Sequence, residues 1–227
     1  VPSSFRIARK LLSLVEDENT GEILVDELHT KIPKHRLKEA ETLVSILGDE
    51  VVQEFPWKND MKPSTNDKVE GVLRRTWRPA LSIVGSDGLP ATANAGNVLR
   101  PYTTLQLSMR IPPMVDAKKA KDAIKEKLTT NIPYDAEITL HFEEAADGWN
   151  APETSPWLIK AIEKSSENYF DEKPCSISEG GTIPFMAMLG ERFPEAQFVI
   201  TGVLGPQSNA HGPNEFLHIP FAKKLTC

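Results

Sequence analysis

Two runs of strict alternation bracket a loop rich in glycine and alanine, and they constrain the fold more than any other feature of this chain. Ala80-Leu81-Ser82-Ile83-Val84 and Thr104-Leu105-Gln106-Leu107-Ser108-Met109-Arg110 repeat apolar residues at period two, the spacing of strands with one buried face. The segment from Gly85 to Gly96 separates them. Upstream, Phe5, Ile7, Ala8, Leu11, Leu12 and Val15 recur at helical spacing, with Ser3 or Ser4 available as the cap. Downstream, beyond Pro112-Pro113, Asp116 caps a helix carrying Ala120, Ala123, Ile124 and Leu128, and Glu137-Ile138-Thr139-Leu140-His141-Phe142 alternates again. Helix, strand, strand, helix, strand is most of a ferredoxin-like α+β sandwich. Its first strand is expected either before Val1 or from the polar segment between Glu16 and Asp67. That segment, an elaboration at about 20–70, holds a short strand candidate at Ile23-Leu24-Val25 and a helix from about Pro33 to Leu47.

Asp147-Gly148-Trp149-Asn150-Ala151-Pro152 reads as a linker, which divides the chain into domains at 1–150 and 151–227. Beyond it come a helix over Pro156 to Phe170, a short strand at Ser176-Ile177-Ser178, a helix over Ile183 to Leu189 and a buried strand over Gln197 to Leu204. Strands alternating with helices imply an α/β layer built on a parallel sheet. Two strands are too few for such a sheet, which needs both faces covered. The remaining strands are therefore expected from sequence outside this chain. Pro220 opens a final short helix near Phe221, and both ends read as cut from something longer.

The 227 residues carry 40% hydrophobic side chains and a formal net charge of -6, the composition of a globular protein without a basic block. Nucleic acid and anionic membrane surfaces, which need clustered Lys and Arg, are thereby disfavoured as partners, and a small molecule is expected. No apolar run approaches a membrane span. Cys175 and Cys227 form neither a metal spacing nor a disulfide framework, so a reducing cytoplasm is the default compartment.

Chemistry concentrates in a few turns. Gly205-Pro206-Gln207-Ser208-Asn209-Ala210-His211-Gly212-Pro213-Asn214-Glu215 sets one imidazole among turn-forming residues after an apolar run. A catalytic zinc takes three or more protein ligands, so His211 alone does not suffice, and none of His29, His35, His141 and His218 forms an HExxH-type pair. Glu179-Gly180-Gly181-Thr182 is a strand-to-helix turn whose bare backbone N–H groups could face an anion or oxyanion, or simply make a tight turn. Arg110 could clamp a carboxylate bidentately or end its strand as a solvated charge. Asn97 is by default a turn residue.

In combination these elements resemble a family. Gly96-Asn97-Val98, a strand ending in Arg110-Ile111-Pro112, then Ser178-Glu179-Gly180-Gly181-Thr182-Ile183-Pro184 and Ala210-His211-Gly212-Pro213-Asn214-Glu215 are similar to the carnosinase-type di-zinc dipeptidases. These sit in the wider metallopeptidase family of aminoacylase, carboxypeptidase G and succinyl-diaminopimelate desuccinylase. Trp77-Arg78-Pro79-Ala80-Leu81-Ser82-Ile83 and the elaboration around Gly21-Glu22-Ile23-Leu24-Val25 resemble the carnosinase branch in particular. The resemblance implies a ferredoxin-like lid, usually the homodimerisation surface, over residues 1–150, and the C-terminal part of an α/β catalytic domain over 151–227. It implies that His211 ligates one of two zinc or manganese ions. Asn97 would act on the scissile carbonyl and Arg110 on the substrate carboxylate, while Glu179, Gly180, Gly181 and Thr182 line the substrate pocket. The family's remaining ligands and general base belong to an N-terminal half absent here, so the chain by itself is expected to be inactive.

The implied reaction of the intact protein is metal-assisted hydrolysis of dipeptides from one end, by ions about 3.5–4 Å apart that activate a bridging water. Two alternatives stay open: a deacylase or aminoacylase acting on N-acyl amino acids, and a catalytically silent dimerisation or interaction module.

Overall fold

The structure is a computed structural model that describes residues 1–53, 55–180, 184–205 and 207–227. It divides into two compact units, one of Val1–Asn150 with Ile177–Met188 and one of Ala151–Ser176 with Leu189–Cys227.

In the first unit α1 spans Ser4–Val15, and the Ser3 side chain accepts from the Arg6 N–H at 3.3 Å, satisfying one of the donors a helix start leaves bare. Strands β1 (Ala80–Asp87) and β2 (Thr104–Arg110) pair antiparallel, with Leu81 opposite Met109 and Ala80 opposite Arg110. The register slips between Ile83 and Gly85, a bulge that leaves Val84 outside the pairing. Helix α5 (Ala117–Thr129) starts where the Asp116 carboxylate accepts from Lys119 N–H at 2.9 Å. Leu11 and Val15 of α1 meet Ala120, Ala123, Ile124 and Leu128 of α5 over Leu81 and Met109 of the sheet, so the helical and period-two faces converge on one core. Leu28 is sealed at the centre of this core.

The elaboration makes a second core of its own. Helices α2 (Lys34–Leu47), α3 (Glu50–Gln53) and α4 (Lys68–Thr76) bury Ala40, Leu43, Val51, Val72 and Leu73 around Trp77. The Asp67 carboxylate accepts from the N–H groups of Val69 and Glu70 at the start of α4, and Glu70 is gripped bidentately by Arg78 at 3.1 and 3.2 Å.

Several expected strands take other forms. Ile23 makes a single antiparallel bridge to Glu16, with Asp17 folding the intervening turn by accepting from the N–H groups of Asn19 and Thr20. The turn brings the two segments together through Asp17 N–H to Glu22 O and Leu24 N–H to Val15 O, but the chain enters a short helical turn at Asp26–Leu28 before the pairing extends, so Ile23-Leu24-Val25 is no strand. Residues 137–142 keep the anticipated alternation, with Ile138, Leu140 and Phe142 half-buried and Glu137, Thr139 and His141 exposed, yet no ladder engages them among the described residues. The α+β class therefore stands with a two-stranded sheet.

In the second unit α6 (Pro156–Phe170) and α8 (Ile219–Thr226) meet through Phe170 and Phe221, whose ring centroids are 5.5 Å apart. The His218 Nδ1 caps α8 by accepting from the Phe221 N–H at 3.1 Å. Neither Ser176-Ile177-Ser178 nor Gln197 to Leu204 is a strand, and the second segment is not buried: Val199, Ile200 and Val203 are about half exposed or more. A continuous apolar run becomes an interior strand only between neighbouring strands, and the described residues supply none there. Helix α7 spans Pro184–Arg192.

Candidate active site

Arg110 is the last residue of β2, where the antiparallel pairing with Ala80 fixes its backbone and leaves its side chain exposed. Its guanidinium forms no ion pair or side-chain hydrogen bond among the described residues. It lies against the Glu179-Gly180 turn: a Cβ built on Gly180 would stand 2.9 Å from Arg110 Nη1 and would run into the carbonyl oxygen of Arg75. Glycine is required here by close approach, because any side chain would displace either that backbone carbonyl or the cation. The turn is also tied at Ser178, whose Oγ lies 3.2 Å from the Trp77 indole Nε1 that donates to it. Trp77 is 3% exposed and immobilised in the elaboration core.

Arg110, Glu179 and Gly180 are thus brought together in the first unit, although 69 positions separate Arg110 from Glu179 in sequence. The Glu179 side chain is exposed. Gly181 and Thr182, expected in the same turn, lie outside the described residues. Asn97 occupies the β1–β2 loop at the centre of a tight turn in which Val98 N–H donates to Gly96 O at 2.8 Å. Its side chain is exposed and makes no hydrogen bond among the described residues.

His211 belongs to the second unit, on a loop folded by its own polar groups. The Asn209 side-chain amide donates to Pro213 O at 2.6 Å, Gly212 N–H donates to Asn209 O at 2.9 Å, and the hydroxyl of the buried Ser208 donates to Gly205 O. His211 itself adopts a left-handed backbone at φ 61°, and its N–H donates to Glu215 Oε2 at 2.8 Å. Gln207, Asn209 and Asn214 share that left-handed region. Such conformations cost about 1–3 kcal/mol each when a side chain is present and persist where surrounding bonds over-determine them, a pattern concentrated at functional loops. The imidazole is exposed rather than packed among aliphatic side chains.

A metal site was also anticipated around His211. Among the described residues no group of three or more His, Cys, Asp and Glu side chains converges. The donors present do not by themselves form a cage, and His211 stands as a single imidazole. Of the other histidines, His29 Nε2 contacts Ile23 O at 2.7 Å and His218 caps α8, both structural uses of the ring.

Three contacts in these turns are not read from the sequence: those of Trp77, the Arg75 carbonyl and the Glu215 carboxylate. Trp77 and Glu215 stand in the motifs quoted above without these roles, and Glu215, four residues beyond His211 in a turn rich in Asn and Gly, carries a usable signal for its bond. The contacts of Trp77 and Arg75 to the turn cross about a hundred residues of sequence and carry no local signal.

No protein-family model matches the chain. Over 152 residues, 64% of its length, it is 24% identical to the cysteinylglycine-S-conjugate dipeptidase of Corynebacterium striatum, of which it covers 33%. Over 184 residues, 77% of its length, it is 26% identical to the Cys-Gly metallodipeptidase DUG1 of Candida albicans, of which it covers 36%. Among solved structures, an M20 family metallo-carboxypeptidase from Sulfolobus solfataricus superposes with a TM-score of 0.69 at 18% identity, over 99% of this chain and 51% of that one. Human carnosine dipeptidase 1 superposes with a TM-score of 0.68 at 16% identity, over 100% of this chain and 47% of that one. The chain spans about a third of the length of those curated relatives and about half of those solved chains. No helix among the described residues is long and apolar enough to cross a membrane. The chain is thus similar in fold to an M20 family metallo-carboxypeptidase and to a carnosine dipeptidase, and similar in sequence to two curated dipeptidases.

Proposed function

We propose that the protein, in its natural length, hydrolyses dipeptides with divalent metal ions, and that this chain supplies the substrate clamp and one metal ligand. The observation that carries the reading is the Arg110 guanidinium, without an ion pair among the described residues and set against the Gly180 turn. A planar cation with five donors matches a carboxylate in a two-bond fork, and a substrate with a free C-terminal carboxylate would satisfy it. Glu179, exposed in the same turn, would face the substrate amine, and the Gly180 turn excludes side chains from the same space. Asn97, with its amide unused, is the group we assign to the scissile carbonyl, where a donor aimed at developing negative charge lowers the barrier. Gly181 and Thr182 are assigned to the same pocket by sequence position alone.

His211 is assigned as the one metal ligand of this chain, with zinc or manganese as the metal and two ions in the complete site. Support comes from its exposed ring, its bonded left-handed loop and the metallopeptidase names of its relatives. We further assign residues 1–150 to a lid that homodimerises, residues 151–227 to the catalytic domain, and the cytoplasm as compartment on the strength of two exposed free cysteines. The dipeptidase reading is preferred to an N-acyl amino acid deacylase or a silent interaction module because the related curated enzymes carry dipeptidase names.

The test is a dipeptide hydrolysis assay on the protein in its natural length, before and after chelation, with His211→Ala in parallel. Activity lost to the chelator, regained with zinc or manganese and absent from the variant supports the assignment. Full activity and metal content in His211→Ala refute it.

A further inference from the structure

The end of α4 meets the proposed substrate turn at two points and the end of β2 at a third. Trp77 Nε1 donates to Ser178 Oγ at 3.2 Å, the Arg75 carbonyl fills the space beside Gly180, and the Arg110 guanidinium closes the other side. Carbonyls in the last turn of a helix lack intrahelical partners and carry the negative end of its dipole, so a cation such as Arg110 is favoured near them. Trp77 is the fixed member: its ring is buried among Ala40, Leu43, Val51, Val72 and Leu73, and its own N–H donates to Leu73 O at 2.7 Å. The elaboration therefore meets the turn through a rigid segment, whose side-chain hydrogen bond to it is the indole N–H.

We propose that Trp77 is a positioning residue, through which the elaboration core holds Ser178, Glu179 and Gly180 in register with Arg110. The inference rests on the reading of Arg110 and the turn as a substrate clamp, and it adds a role for a segment that contributes no ligand or substrate group itself. Ser178→Ala removes the acceptor and leaves the core untouched, so it should loosen the turn alone, whereas Trp77→Phe removes the N–H together with part of the buried ring and should also lower the melting temperature.

Two readouts separate the proposal from the functional reading beneath it. Amide hydrogen exchange on the protein in its natural length reports local opening directly. Losing one hydrogen bond should speed exchange at Glu179 and Gly180 about two- to tenfold in either variant. Amides of β2 should be unchanged, and the double variant should match Trp77→Phe, because the bond is already lost there. In parallel, KM for a dipeptide should rise by a similar factor with kcat nearly unchanged, a split that general destabilisation does not produce. Unchanged exchange at these amides overturns the proposal, as does faster exchange with KM unaltered. If the wild-type protein hydrolyses no dipeptide, the functional reading falls, and exchange still decides whether Trp77 anchors the turn.

Discussion

Gly180→Ala tests the geometry of the clamp most sharply. The new methyl would overlap the Arg75 carbonyl and stand 2.9 Å from Arg110 Nη1, closer than carbon atoms of side chains approach nitrogen or oxygen in practice. The guanidinium sits at the end of a flexible side chain and can swing away; the carbonyl belongs to the last turn of α4 and cannot move without bending it. Moving Arg110 alone leaves the overlap with the carbonyl, so the turn itself must shift, and that shift separates it from the cation and from the position we assign to the substrate carboxylate. Forced overpacking costs about 1–3 kcal/mol. If that strain falls on the bound geometry, it corresponds to a loss of about 5- to 150-fold in dipeptide affinity. The assay is KM or direct calorimetric affinity for a dipeptide, with the melting temperature followed alongside. Wild-type affinity in Gly180→Ala would show that the glycine answers only to turn flexibility and that Arg110 is not held in place across it.

Other consequences are more local. Leu28→Ala removes a side chain sealed in the core beneath α1 and α5 and should cost about 2–5 kcal/mol by denaturant unfolding, whereas Val84→Ala on the bulge should cost far less. Hydrogen bonds from Thr20 and Asn19 hold the Asp17 carboxyl below its usual range, so its contribution is present above the unfolded value and lost as pH falls through the folded one. An NMR titration should show this depression, and Thr20→Ala, which removes the hydroxyl and leaves both backbone N–H donors, should raise the Asp17 midpoint only in part; a wild-type midpoint at the usual carboxylate value would refute the turn as its cause.

Much of the first unit was legible because its signals are local. Ser3 and Asp116 mark helix starts by supplying the oxygen that bare N–H groups need, and α1, α2, α5 and α6 begin or end within a residue or two of their periodic patterns. Helix α4 was not anticipated, since Gly71 and its short length weaken the pattern, although Asp67 followed by Glu70 is a capping signal. Gln197 to Leu204 misled because a continuous apolar run reports that a segment wants cover on both faces, without saying where the cover lies. Individual residues of the candidate site could be named from their turns. Their assembly could not: the indole, the carbonyl and the guanidinium around Ser178 and Gly180 meet only through tertiary packing.

The account stands on Arg110 as a receptor for a free carboxylate. The direct measurement compares the affinity of the protein in its natural length for a dipeptide and for the same dipeptide amidated at its C-terminus, in wild type and in Arg110→Ala. A charge-assisted bond of about 1.5–3 kcal/mol predicts a wild-type preference for the free acid of about 10- to 150-fold, collapsing towards parity in the variant. Equal affinities for acid and amide in the wild type, or a preference that survives the loss of the guanidinium, would contradict it.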